Sequence, residues 1–218
     1  MILNDKNIKL FSSIGSRATF GMTALELVKD KKNLMILTSD VSTSAGLDRF
    51  RKNYSKNYLD VGIAEQNLVG VCAGLSAVGK KVFGVSPSSF LTARSLEQIK
   101  NDIAYSNQPV VLVGISAGIS YGQLGATHHS IHDFAVLRAI NNISIVSPAD
   151  NFETAEVIKK SLDYDKPLFI RYGKKPTLNL HKEGQKFEIG KAIVVNQGDE
   201  IVFIATGETV QRAYLASQ

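Results

Sequence analysis

Apolar positions along this chain follow two alternating periods. Short branched or aliphatic runs recur at 33–37, 58–61, 81–85, 109–115, 143–147 and 167–171. Between them, at 17–28, 65–78, 90–105, 134–140 and 153–162, apolar residues return at helical spacing. Compact apolar runs read as strands, and recurrence at i, i+3 and i+4 reads as helix. The helical stripe is Phe20, Ala24, Leu27 and Val28 in the first such segment, and Leu91, Leu96, Ile99 and Ile103 in the third. The run at 109–115 is nearly all Val, Leu and Ile, as expected of a strand covered on both faces. Residues 41–58 read as a polar loop with a helical turn at 47–54, and 116–129 as a Gly-rich loop. This order predicts an α/β fold: a mostly parallel sheet with helices on both faces. Ligands in such sheets sit beyond the carboxyl ends of the strands. Asp40, Glu65, Ser86 to Phe90, Ser116 to His129 and Arg171 all follow predicted strand ends.

Past residue 173 the pattern changes. A first unit is expected over 1–173 and a linker over 174–188, marked by Lys174-Lys175-Pro176 and His181-Lys182-Glu183-Gly184. A second unit starts at 189, with strands at 191–196 and 200–206, a turn at Gly198-Asp199-Glu200, and a helix opening at Gly207-Glu208-Thr209. Fewer than about 35 residues cannot build an independent α/β domain. The expectation is a second α/β domain that is truncated, the chain stopping inside it.

Composition narrows the function classes. With 44% hydrophobic and 21% charged residues in 218, the chain suits a globular protein with one full core and part of a second. The net charge of +5 comes from dispersed lysines without interleaved aromatics. That argues against nucleic acid and for a solvated basic face, with an anionic small molecule as the next reading. Cys72 is the single cysteine, so no intrachain disulfide exists. No apolar run reaches bilayer length, and residues 1–9 lack a secretory apolar segment. A cytoplasmic protein with no membrane partner is expected.

The densest candidate chemistry lies in Asp60-Val61-Gly62-Ile63-Ala64-Glu65-Gln66-Asn67. Glu65 opens a helix rich in Gly and Ala, in apolar surroundings where an unpaired carboxylate is costly. From these residues alone it is either a helix-capping acid or a chemical group. Gly70 and Gly74 in the same helix suggest a close approach to a neighbour that offsets their helix cost. Phe90, near a strand end, reads by itself as a core residue. The His128-His129 pair is structural, solvent-facing or functional; metal is disfavoured because no carboxylate or Cys completes a ligand set.

Taken together, these motifs resemble the C-terminal half of the transketolase family, most of all the split transketolases made as two subunits. The resemblance covers nearly everything from Ser16 to Gln218. It rests on Asp60 to Asn67, on Phe90, Arg94 and Glu97-Gln98, and on Gly125-Ala126-Thr127-His128-His129. It implies a pyrimidine-binding domain, thiamine diphosphate as cofactor, and transfer of a two-carbon ketol unit between sugars or sugar phosphates. Glu65 would hydrogen-bond the aminopyrimidine ring, with Phe90 and Arg94 beside it. His128 would serve the substrate oxygens, and Arg17 and Arg171 would face its distal anionic group. Asp40 would organise its loop.

Three positions depart from the family pattern. Leu124 stands where an Asp usually recognises a sugar hydroxyl, Ser116 where a phosphate-facing His is common, and Pro87 where an aromatic is common. The first two fit a specialised donor, or a branch of the family serving sugar biosynthesis. The chain also lacks the Gly-Asp-Gly…Asn signature that holds Mg²⁺ and diphosphate in the other half of these enzymes. With the start at Met1 just ahead of the pyrimidine domain, this leads to the expectation of a separate N-terminal-half subunit that carries the Mg²⁺ ligands, and of self-association. Competing readings are the matching half of a deoxyxylulose-phosphate synthase-like or ketoacid dehydrogenase-like enzyme, and a non-catalytic scaffold or regulatory subunit.

Overall fold

The computed structural model describes residues 5–181 and 184–218. Residues 1–4 of the first unit and Lys182 and Glu183 of the expected linker lie outside the described residues. In chain order the elements are α1 (Asp5–Asp30), β1 (Leu34–Thr38), α2 (Asp48–Asn53), β2 (Tyr58–Asp60), α3 (Glu65–Ala77), β3 (Lys81–Pro87) and α4 (Ser88–Arg94). Then come α5 (Leu96–Gln98), β4 (Val111–Ile115), α6 (Asp133–Arg138), β5 (Ser144–Val146), α7 (Asn151–Lys160), β6 (Leu168–Arg171) and α8 (Thr209–Ala216). The six strands form one parallel sheet in the order β2-β1-β3-β4-β6-β5.

Alternation within each strand feeds two cores. Leu34 and Ile36 of β1, Phe83 and Val85 of β3, and Val111, Val113 and Ile115 of β4 face Phe20, Ala24 and Val28 of α1 and Val157 and Ile158 of α7. Leu37, Val82, Leu112 and Phe169 point the other way, against Leu68, Val69 and Cys72 of α3, and Ile99 and Ile103 beyond α5. Every residue of β4 is buried, as its uninterrupted apolar run predicts.

The structure corrects several sequence expectations. The helix expected at 90–105 is broken. Ser95, with φ −115°, separates α4 from α5, and α5 runs into a π-helical stretch at Ile99–Tyr105. α1 is longer than expected and kinks at Gly15, where φ is 72°. The close helix–sheet approach does not use Gly70 or Gly74. A Cβ on Gly74 would meet nothing within 4 Å, whereas one on Gly84 of β3 would lie 2.8 Å from Cys72 Sγ. The strand supplies the small residue and the helix supplies the thiol.

The strands expected at 191–196 and 200–206 do not form, although the chain bends at Asp199 and Glu200. A strand is stable only when its backbone groups pair with a neighbour, and none of the six strands reaches this segment. Its apolar side chains stay in solvent, Ile201 at 73% and Ile204 at 94% exposure. The helix expected after Gly207 forms, as α8.

The expected linker is tied down at its first half. Asp150 caps α7, accepting the Glu153 N–H at 2.9 Å through Oδ1. Its Oδ2 accepts from Leu180 N at 2.9 Å and from His181 Nδ1 at 2.7 Å. The buried His181 ring stacks on Phe152 with centroids 4.9 Å apart, and its Nε2 lies 3.2 Å from Glu153 Oε1. Burial disfavours the imidazolium, but the two carboxylates outweigh it and push its pKa up to about 9.

Candidate active site

The carboxyl ends of β1, β2, β3, β4 and β6 converge on one edge of the sheet, and the polar candidates gather there. Glu65 is the first residue of α3 and is 1% exposed. Within these surroundings its carboxylate is paired. Arg94 Nη1, from the last turn of α4, donates to its Oε2 at 2.6 Å. The Arg94 side chain is 46% exposed. The pair therefore compensates the buried charge while leaving one partner in contact with water, where an ion pair contributes little net stability.

From Arg94 a ladder of rings leads across the site. Its guanidinium carbon lies 4.8 Å from the Phe90 centroid. Phe90 meets His128 edge-on at 5.2 Å, and His128 meets Tyr121 in the same manner at 5.2 Å. Lys174 Nζ stands 4.7 Å over Tyr121. Thr127 Oγ1 is 3.0 Å from His128 Nδ1, so the two ring nitrogens are chemically distinct. His129 turns away, its Nε2 donating to Gly122 O at 3.1 Å. Tyr121 and Lys174 carry little signal in the sequence: one sits in a Gly-rich loop without periodicity, the other in a run that reads as linker.

The approach of Glu65 is fixed by Asp60 at the end of β2. Oδ2 accepts from Thr38 Oγ1 at 2.8 Å and Tyr58 OH at 3.1 Å; Oδ1 accepts from the Asp40 and Gly62 amides, each at 2.9 Å. Burial alone would favour the protonated acid. The two amides and the hydroxyls outweigh it and hold the carboxyl below its usual range. The same environment raises the Tyr58 hydroxyl, chiefly through burial. Asp40 itself, at φ 58°, contributes its backbone to this clamp.

The remaining candidates are placed as follows. Arg17 Nη1 donates to Ser44 O at 2.7 Å. This loop packs against α1 so tightly that a Cβ on Gly46 would lie 2.6 Å from Arg17 O. Arg171 donates from Nε to Asp133 Oδ2 at 2.8 Å and lies 4.7 Å from the Phe134 centroid, so it is not part of the ring ladder. Leu124 ends the turn Gly122–Leu124 and is 54% exposed. Ser116 is buried at φ 56°, and its hydroxyl has no hydrogen-bond partner among the described residues. Pro87 ends β3 and precedes α4 in extended conformation. The structure thus joins Glu65, Arg94, Phe90 and His128, and sets Arg17, Leu124 and Arg171 apart from that chain of contacts. Among the described residues no group of three His, Cys, Asp or Glu side chains is placed to hold a metal.

Residues 12–178 match the sequence profile of the family described as "Transketolase, pyrimidine binding domain". The chain belongs to the transketolase family. Among relatives, it is 42% identical over 204 residues to an apulose-4-phosphate transketolase subunit of Phocaeicola vulgatus, covering 93% of this chain and 65% of that protein. It is 36% identical over 206 residues to "Putative transketolase C-terminal section" of Methanocaldococcus jannaschii, covering 94% and 65%. The solved structure "Split gene transketolase, inactive beta4 tetramer" superimposes with a TM-score of 0.85 at 32% identity, covering 94% of this chain and 66% of that one. The chain therefore spans about two thirds of the length of these transketolase subunits, and its sheet is the transketolase pyrimidine-domain sheet.

Proposed function

We propose that this chain is the C-terminal, pyrimidine-side part of a thiamine-diphosphate-dependent transketolase, acting with a separate N-terminal-half subunit to move a two-carbon ketol unit between sugar phosphates. The observation that carries this reading is the buried Glu65 carboxylate at the start of α3, paired with Arg94 and flanked by Phe90 and His128. A carboxylate acceptor beside an aromatic ring suits the aminopyrimidine end of thiamine diphosphate. Among the described residues no group of His, Cys, Asp or Glu side chains is placed to hold Mg²⁺, which supports ligands for it and the diphosphate on the other subunit. Glu65 and Phe90 would hold the pyrimidine, with Arg94 behind them. Bound there, thiamine diphosphate supplies the electron sink for breaking a carbon–carbon bond beside a ketose carbonyl.

The chain's own residues divide the remaining work. Glu65 shares a proton through its carboxylate, and Arg94 keeps that carboxylate in place. His128 donates to substrate oxygens as charge develops on them. Arg17 and Arg171 supply the fork geometry that suits a distal phosphate, and Lys174, over the Tyr121 ring, adds positive charge. Leu124 cannot accept a hydrogen bond, so the donor is a ketose that needs no acceptor at that point. The 42%-identical relative is an apulose-4-phosphate transketolase subunit, which makes apulose 4-phosphate the first ketose to assay. The split-gene neighbour is an inactive β4 tetramer, which supports self-association here.

Isothermal calorimetry with thiamine diphosphate and Mg²⁺ tests the division of the cofactor site. The chain alone should bind weakly. Adding an N-terminal-half subunit that carries the Gly-Asp-Gly…Asn signature should tighten binding and produce ketol transfer. Submicromolar affinity of the chain by itself would overturn the two-subunit reading.

A further inference from the structure

The loop between β4 and α6 carries Tyr121, Leu124 and His128, and one buried acid holds its base. Gly118 and Ser130 close the loop by exchanging backbone hydrogen bonds of 3.1 and 2.8 Å. The Ser130 hydroxyl then donates a hydrogen bond to Asp133 Oδ2 at 2.9 Å, and the Ser88 hydroxyl, from the start of α4, does the same at 2.8 Å. A hydroxyl has a single proton, so the 3.0 Å contact between the two serines is left as packing. The third donor to the same oxygen is Arg171 Nε at 2.8 Å. Asp133 is 1% exposed and the Arg171 side chain 19%.

Four further contacts lock the arrangement. The Phe134 amide donates to Asp133 Oδ1 at 2.9 Å. Arg171 Nη2 faces Ser130 O at 3.5 Å, and the Phe134 ring covers the guanidinium. His132 Nε2 lies 3.2 Å from Thr92 Oγ1, tying the loop's end to the helix that bears Phe90. A carboxylate with three donors on one oxygen and an amide on the other has no rotational freedom left, and charge-assisted bonds of this kind are the strong ones.

We propose that Asp133 is a positioning residue of this site: through one carboxylate oxygen it sets the plane of the Arg171 guanidinium and the base of the loop that presents His128. The inference rests on the transketolase reading for what Arg171 and His128 are positioned to do. The positioning itself is a property of the chain and is tested without cofactor or partner. Replacement of Asp133 by Asn removes the charge and at least one acceptor bond while keeping the shape. The Arg171 guanidinium, largely buried, then loses its counter-charge and must turn.

Amide hydrogen exchange on the full chain, with ¹⁵N-edited spectra of its four histidines, provides the test. In Asp133→Asn, exchange of the amides at 117–131 should rise by about 10-fold or more while β3 and β4 amides keep their protection. The His128 ring signals should shift with them. Ser130→Ala keeps the ion pair and should move the same amides in the same direction by a smaller factor, which covers the case in which Asp133→Asn does not fold. In the assembled enzyme Asp133→Asn should raise KM for a phosphorylated ketose more than it lowers kcat. If the enzyme assay shows no transketolase chemistry but the exchange result holds, the function is wrong and the positioning stands. Unchanged exchange at 117–131 in these variants, or a rise spread equally over β3 and β4, would overturn the proposal.

Discussion

The clasp formed by His181 with Asp150 and Glu153 makes stability depend on pH in a direction that can be worked out. A free imidazole titrates near 6.5, and in the fold the value is pushed up to about 9. The fold therefore favours the protonated ring. Its contribution is present in full below pH 6.5 and is lost as pH rises through about 9. At about 1.36 kcal/mol per pH unit, the gap sets a ceiling of ~3 kcal/mol. Solvent near the Glu153 side, where that side chain is 16% exposed, screens part of it. A working figure is about 1–2 kcal/mol. For a chain of this size that corresponds to roughly 2–8 °C in Tm. Thermal unfolding between pH 6 and 9.5 should show the wild type losing about this much. His181→Gln, which keeps a donor for Asp150 but no charge, should start lower at pH 6 and stay flat. Other groups change little in the difference between the two curves: burial pushes the Cys72 thiol far up, and Lys81, lowered by burial, is common to both. A wild-type curve that is flat from pH 7 to 9.5, or a His181→Gln curve parallel to it, would refute the charged clasp.

Further predictions concern the site and the core. In the reconstituted enzyme Glu65→Gln should lower turnover by about 10²-fold or more, with hydrogen–deuterium exchange at the thiazolium carbon of the cofactor slowed to match; an unchanged exchange rate removes the role given to Glu65. Leu124→Asp should improve use of xylulose 5-phosphate relative to the native donor by up to about 10-fold, the worth of one added hydrogen bond. Specificity constants over a ketose panel check it, and no gain would make Leu124 a tolerated change without substrate meaning. Gly84→Ala should destabilise by about 1–3 kcal/mol, because the new Cβ would lie 2.8 Å from Cys72 Sγ; adding Cys72→Ala should recover part of the loss in chemical denaturation.

Much of the fold can be read along the chain because buried parallel strands and two-faced helix packing leave strong periodic signals. Val111 to Ile115 and the stripe at Phe20, Ala24 and Val28 are examples. Glu65, Phe90 and His128 are legible for a different reason: each follows a strand end, and each lies in a motif with family resemblance. Asp133 and Arg171 illustrate what periodicity hides. Arg171 reads as a substrate group, but the charge that holds it comes from an acid 38 residues away in the sequence. The residues after 190 mislead because alternation says which face a strand would bury, not whether a partner strand is present to pair with it. Gly70 and Gly74 mislead in a similar way, since closeness between helix and sheet depends on both surfaces, and the space is made at Gly84.

The unpaired stretch at 201–206 also matters for the chain in concentrated solution. Ile201-Val202-Phe203-Ile204-Ala205-Thr206 has high β-propensity, no charge and no proline, and its backbone N–H and C=O groups are not engaged in any ladder. Such a segment is a template for its own copies, which can stack in register and interdigitate side chains into a dry interface. Pairing or burying these six residues against any partner surface would therefore also remove a template for cross-β stacking between chains.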